Sequence, residues 1–432
     1  MIKMKNSTIP WIGEIPEHWE VVRLKHLVET PISDGPHETP VFLDEGIPFY
    51  SVDSISNNEL IYEPCRYISF EDANRYDKKS KPQKGDILLG KAASTGKIAI
   101  IKKDTRIQIW SPLALIRINN KNHNKFIFYT LLSECGQIEI DLRCTSNTQK
   151  NISMKDINEL QLPLPPLAEQ ELIANYLDSK CSEIDSIKDA IAKQIEVLKN
   201  YKKSLITETV TKGLQKNTPM KNSTIPWIGE IPEHWEVVKV KYRFNVVNGS
   251  TPKSDNPNYW NGDIKWITPA DMQTFGYING GSRTITQQGL LSCGTQKIPA
   301  NSIIVSNRAP IGKINYTTAE LCINQGCKAL VQDQFNKYYY YFMLIAVEEL
   351  TLLGRGTTFI ELSTTDLSNL SIILPPLAEQ EAITNYLDSK CLEIDKIIED
   401  KQNQLGTLDS YKKSVIFEYV TGKKEVNHEN AY

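Results

Sequence analysis

The chain has 432 residues, 40% of them hydrophobic and 23% charged, which gives room for two or three domains that each bury a core. A formal net charge of -3 excludes a protein that grips nucleic acid by bulk positive charge alone. The N-terminus has no apolar stretch long enough for a signal peptide, and the longest aromatic–aliphatic run, Tyr338 to Val347, is too short to span a bilayer, so a cytoplasmic protein without membrane association is expected.

The chain opens on a segment that returns later. Met4 to Val22 reads MKNSTIPWIGEIPEHWEVV, and Met220 to Val238 is identical. His18 and His234 stand beside Trp19 and Trp235 in these frames, where packing is the expected role. The stretch 23–163 follows the first frame. Its apolar Ile87-Leu-Leu89 leads into Gly90-Lys-Ala-Ala-Ser-Thr-Gly96-Lys97-Ile98, which has the wrong spacing for a phosphate loop and no Ser/Thr after the lysine, so it reads as a hairpin turn with a basic tip. Arg143 to Asn151 is a polar run ahead of a helix-start signal, Ser153-x-x-Asp156.

Pro165 to Ile187 begins a long helix and recurs as Pro375 to Ile397 with differences only at Leu172/Ala382, Ala174/Thr384, Ser182/Leu392 and Ser186/Lys396. Leu177, Ile184, Ile191, Leu198 and Leu205 keep a heptad, and Ile173, Cys181, Ile187, Ile195 and Tyr201 widen it to a face. Gly213 and Gly422 are natural stops. The first helix, about 167–212, would be on the order of 70 Å long. The connector from Gly213 to Ile225 reaches at most roughly 45 Å. It cannot return to the start of that helix, so the second copy, with Leu387, Ile394, Leu408 and Val415, must run back antiparallel to the first. Lys401 and Gln194 are polar positions in the seam that would set register.

The second divergent stretch, 239–373, carries Ile303-Ile-Val305 before Arg308-Ala-Pro-Ile-Gly312-Lys313-Ile314, and Gly354-Arg355-Gly356-Thr357-Thr358 before Leu362-Ser363-x-x-Asp366. These align with Ile87–Ile98 and Ile152–Asp156, so both halves share one fold with diverged surfaces. Trp266 and Phe49 read as core. The expected fold class is α+β. Two mixed α/β globular domains are joined by two long antiparallel helices in a coiled coil, with a pseudo-two-fold axis. The expected division is a first domain 1–163 that includes the frame 4–22, a helix 164–213, a second domain 214–373 that includes the frame 220–238, a helix 374–422 and a tail 423–432.

No catalytic constellation emerges. Six histidines are dispersed, and the double prolines lack the flanking residues of an amino-methyltransferase tetrapeptide. Cys322 and Cys327 have no second pair of ligands, so neither a catalytic nor a metal site is expected. Charge divides unevenly. Residues 239–373 hold twelve Lys/Arg and nine Asp/Glu, and residues 23–163 hold nineteen and eighteen, which leaves the helices with the excess acid. The candidate DNA-contact residues lie in the turns and polar loops. They are Lys91, Ser94, Thr95, Lys97, Arg143, Asn147, Gln149 and Lys150 in the first half, and Asn307, Arg308, Lys313, Arg355, Thr357 and Thr358 in the second. Arg, Asn and Gln can pair bidentately with base edges, and Thr can meet phosphate or a thymine methyl.

Ile15-Pro-Glu-His-Trp-Glu-Val-Val22 and its repeat, Leu164-Pro-Pro-Leu-Ala-Glu-Gln-Glu171 and its repeat, Asn248-Gly-Ser-Thr-Pro252, Tyr259 to Trp266, and Leu321 to Ala329 together resemble the specificity subunit of type I restriction–modification enzymes. The likeness covers nearly the whole chain, in motif order and duplication. It implies two target recognition domains, each reading one half of a bipartite site on double-stranded DNA, with the helices as spacer. It also implies methyltransferase subunits docked on the frame and motor-nuclease subunits completing the complex. S-adenosylmethionine, ATP and magnesium would then belong to those partners, with no cofactor and no catalysis in this chain.

Overall fold

A computed structural model describes residues 3–146, 150–308, 310–332, 337–356 and 360–426. The chain divides into two compact units, Met1–Ala192 with Gln402–Tyr432, and Lys193–Lys401. Each unit therefore takes one part of each long helix, Leu167–Lys212 and Leu377–Val420.

Unit 1 carries a four-stranded antiparallel sheet in the order 98–100, 87–90, 113–116, 33–34, and a three-stranded sheet in the order 108–109, 47–50, 66–68. Unit 2 repeats the pattern. Its larger sheet has strands 311–317, 303–307, 327–331 and 245–248 in the matching order, and its smaller one has 322–323, 260–267 and 283–285. The shared fold read from the Gly-Lys-Ile alignment is present. The larger sheet of unit 2 has one added strand, Phe275–Ile278, parallel to 311–317.

The apolar runs before each turn are buried on both faces, as a strand between two layers must be. Ile87, Leu89, Ile98 and Ile100 face the core that holds Phe126 and Ile127. Leu88 and Ala99, on the other side of the same strands, face the second sheet with Tyr50 and Ile109. Ile303 and Val305 against Ile304 divide in the same way in unit 2. Trp266 and Phe49 are buried, as expected.

The frame closes each unit on itself. Glu20–Arg23 pairs antiparallel with Gln161–Leu164, and Glu236–Lys239 with Ser371–Leu374. The Leu24 amide then donates to the Leu160 carbonyl at 2.8 Å, and the Val240 amide to the Leu370 carbonyl at 3.0 Å. Entry and exit of each divergent insert are thus neighbours in a ladder at the base of its unit.

The long helices start where the prolines permit. The Pro166 and Pro376 carbonyls accept from the Gln170 and Gln380 amides, each at 3.0 Å. Both helices stop before glycines in the left-handed region, Gly213 at φ +77° and Gly422 at φ +68°. Within unit 1, Asp185 pairs with Lys412 and Lys188 with Asp409. Within unit 2, Lys202 pairs with Asp395 and Lys401 bonds Gln194 at 2.6 Å. Rising numbers on one helix meet falling numbers on the other, so the pairing is antiparallel, and the two polar seam residues satisfy one another. The second apolar row is covered in part, with Ile173, Cys181 and Ile195 buried. Leu177, Ile184 and Ile191 are buried, but Ile187 and Tyr201 are exposed, as are their repeats Ile397 and Tyr411.

Candidate nucleic-acid interface

In each unit the turn and the polar loop that the sequence presents separately form one edge. In unit 1 the Ile152 amide donates to the Lys91 carbonyl at 2.9 Å, and Thr95 Oγ1 donates to the Lys150 carbonyl at 2.7 Å. In unit 2 the Leu362 amide donates to the Asn307 carbonyl at 2.9 Å, and Asn307 Nδ2 donates to Glu361 Oε1 at 2.6 Å. Each loop then enters a short helix capped as its sequence signal requires, with Ser153 Oγ accepting from the Asp156 amide and Ser363 Oγ from the Asp366 amide. The turns need their glycines. Gly96 and Gly312 sit at φ +90° and +94°, and a Cβ there would press on Gln137 and Val347.

The side chains divide by commitment. Arg355 is 80% exposed, with a guanidinium nitrogen 3.3 Å from Asp366 Oδ1. Its backbone is fixed by reciprocal bonds to Glu361, each at 3.0 Å. Lys97 is exposed and Arg308 half-buried, and neither makes an ion pair among the described residues. Ser94 is half-buried in its turn. Arg143 is held at 2.6 Å by Glu139, a nearly inaccessible carboxylate, and the exposed Lys150 meets Asp141 at 2.9 Å.

Three candidates are placed as scaffold rather than as solvated tips. Lys91 meets the buried Asp34 at 2.5 Å. Asn307 belongs to strand Ile303–Asn307 and is fully buried, because the strand runs further toward the turn than its apolar triplet suggests. Lys313 turns inward and donates to the Pro269 and Met272 carbonyls at 2.6 and 3.0 Å. Asn147, Gln149, Thr357 and Thr358 lie outside the described residues. Among the described residues no group of His, Cys, Asp and Glu could hold a metal ion, and no helix is long and apolar enough to cross a membrane.

The frames lock onto the helices through one carboxylate each. Glu169 accepts from Trp19 Nε1 at 2.9 Å and lies 2.8 Å from His18 Nε2, while Glu379 takes Trp235 at 3.0 Å and His234 at 2.6 Å. The tryptophans are buried, but the histidines are not packed inside as expected. Each is partly exposed and held by its glutamate. The model of the type I restriction modification DNA specificity domain matches residues 16–197 and again 232–406, each time taking in this lock and the edge it supports. The chain belongs to the type I restriction–modification DNA specificity family.

Relatives agree along the whole length of this specificity-family chain. It is similar to the MjaX specificity subunit of a type I restriction enzyme from Methanocaldococcus jannaschii, 31% identical over 98% of both chains. It is also similar to the MjaVIII specificity subunit of the same organism, 26% identical over 96% of this chain and 95% of that one. Among solved structures, a chain from a study of complex assembly and conformational transition in a type I restriction–modification system superposes with a TM-score of 0.74 at 17% identity, covering 95% of this chain and 99% of that one. The HsdS subunit of Thermoanaerobacter tengcongensis gives 0.52 at 16% identity, covering 95% and 98%. These two likenesses concern the fold.

Asp34, Asn248, Lys328 and Thr364, which sequence reasoning passed over, also lie at these edges. A signal was available for one of them, since Lys328 is a charge inside the otherwise apolar strand Cys327–Val331.

Proposed function

We propose that this non-catalytic specificity subunit reads a bipartite site on duplex DNA, one half with each unit, through the paired turn-and-loop edges. The observation that carries the reading is their recurrence. The same backbone bond joins turn to loop in each unit, on residues that diverge, while the frames that hold them stay identical. A scaffold kept constant around a variable edge suits one mechanical task performed on two sequences. The longer reach falls to Arg355 and Lys97, which are exposed, and to Arg308, which makes no ion pair among the described residues.

Arg355→Ala tests base readout in unit 2. In the assembled methyltransferase, loss of a bidentate guanine contact should cost about 1–3 kcal/mol and relax one position of one half-site. Measurement against variants at each base, at two salt concentrations, separates this from a phosphate contact, which would weaken all sequences alike. An unchanged profile would remove Arg355 from the interface.

The helices are read as the spacer between half-sites and as the dock for methyltransferase subunits, whose cofactor S-adenosylmethionine, like the ATP and magnesium of motor-nuclease subunits, would not bind this chain. The exposed Ile187 and Tyr411 support docking. The ion pairs Asp185–Lys412 and Lys188–Asp409 bring their helical turns alongside one another, and the repeat places Tyr201 and Ile397 in the same relation in unit 2. Exposed apolar pairs repeated on a soluble frame suit two copies of one partner. Inserting one heptad after Ile191 and another after Lys401 keeps the seam and adds about 10 Å to each helix. The expected result is a longer gap between unchanged half-sites, read by mapping methylated sites; an unchanged gap in an active complex would exclude the spacer role.

A further inference from the structure

Both units hold an ammonium at the same point of the fold, but one comes from the turn after strand 87–90 and the other from strand 327–331. Strand register makes Asp34 and Asn248 equivalent. Asp34 faces Ala114 and Ala114 faces Leu89, while Asn248 faces Lys328 and Lys328 faces Val305. Leu89 and Val305 precede the turns by the same step.

In unit 1 the ammonium is that of Lys91, and Lys79 joins it on Asp34. Burial works against ionisation of Asp34, but the bonds from the two lysines outweigh it and hold the carboxyl below its ordinary range. That charge is answered inside the protein.

In unit 2 the ammonium is that of Lys328, a residue only 6% exposed. Its Nζ donates to Asn248 Oδ1 at 2.9 Å and Thr364 Oγ1 at 3.0 Å, both neutral. Burial pushes its pKa below the usual lysine range, and only the exposed Glu361, itself held by Asn307, opposes this from a distance. Among the described residues Lys328 makes no salt bridge. Its holder Asn248 is exposed at the end of strand Asn245–Asn248, and Thr364 opens the helix after the Arg355 loop, so the ammonium is presented at the reading edge.

A buried cation held only by neutral groups is costly, and a single carboxylate in place of the Asn248 amide would relieve the cost, as Asp34 does in unit 1. We propose that Lys328 is a DNA-binding residue of unit 2, its uncompensated ammonium aimed by Asn248 and Thr364 at a phosphate of the bound duplex. This rests on the reading of the edge as the DNA interface.

Asn248→Asp in the full complex with methyltransferase subunits separates the two roles because its effects have opposite signs. The melting temperature should rise as Lys328 gains an ion pair. Affinity for duplex DNA should fall on the order of tenfold, equally for parent and variant sites, and the salt dependence should drop by about one unit of slope. Lys328→Met should give the same loss of slope without adding a negative charge. A raised melting temperature with unchanged affinity would make Lys328 a strut and overturn the proposal, as would an unchanged melting temperature, since the charge would then already be answered. A parent complex with no preference for any duplex site would defeat the underlying reading before either variant is compared.

Discussion

Replacing residues 24–160 with the corresponding segment of another family member is expected to change one half of the recognised site completely and to leave the other half and the gap unchanged. The junctions favour this result. Both fall beside a ladder whose strands, Glu20–Arg23 and Gln161–Leu164, are kept in the graft, so the insert enters and leaves at adjacent points and its closure does not depend on its own sequence. The sheet cores behind the edge lie within the insert, apart from the frame and helix residues that close the larger one. A graft therefore exchanges a core with most of its own surface, which is tolerated far better than exchanging one side of a packed interface. Genome-wide mapping of methylated adenines would read the outcome. Changes in both halves would mean that the units read DNA jointly.

Truncation after Lys401 is expected to unfold unit 1 while leaving unit 2 intact. The core of unit 1 includes Val415, Ile416, Tyr419 and Val420 from the last turns of the second long helix, packed with Ile173, Leu177 and Trp19. At about 1.5–3 kcal/mol for each large buried side chain, their loss approaches the whole stability of an ordinary domain. The matching places in unit 2 are filled by Ile206 and Val210 of the first helix, which the truncation keeps. Hydrogen exchange should therefore show protection lost in strand 113–116 and retained in strand 327–331. A peptide spanning residues 402–426, added in trans, should restore part of it. Equal protection in the truncated and full chains would show that the helix end is dispensable to unit 1.

The periodic parts were legible without coordinates. The nineteen-residue repeat, the helix from Leu167 to Lys212 with its glycine stop, the capped starts at Ser153 and Ser363, and the kinship of the two inserts all follow from local chemistry or from self-similarity. These features depend on neighbours a few residues apart, or on a copy of the same segment, and sequence displays both directly. Tertiary structure decided which side chains remain free. Lys91 and Lys313 look like basic turn tips until their distant partners, Asp34 and the carbonyls of Pro269 and Met272, are brought to them. Ile187 and Tyr201 fit the periodicity of the seam yet stay exposed, although Ile173, Cys181 and Ile195 of the same row are buried. Lys328 shows in the sequence as a charge in an apolar run, but only strand register places its ammonium beside Asn248 and opposite the role of Asp34. The sequence by itself determined the repeated frame, the paired helices and the family. The charge balance of each edge was decided by contacts between residues 36 to 80 positions apart, for which no local pattern exists.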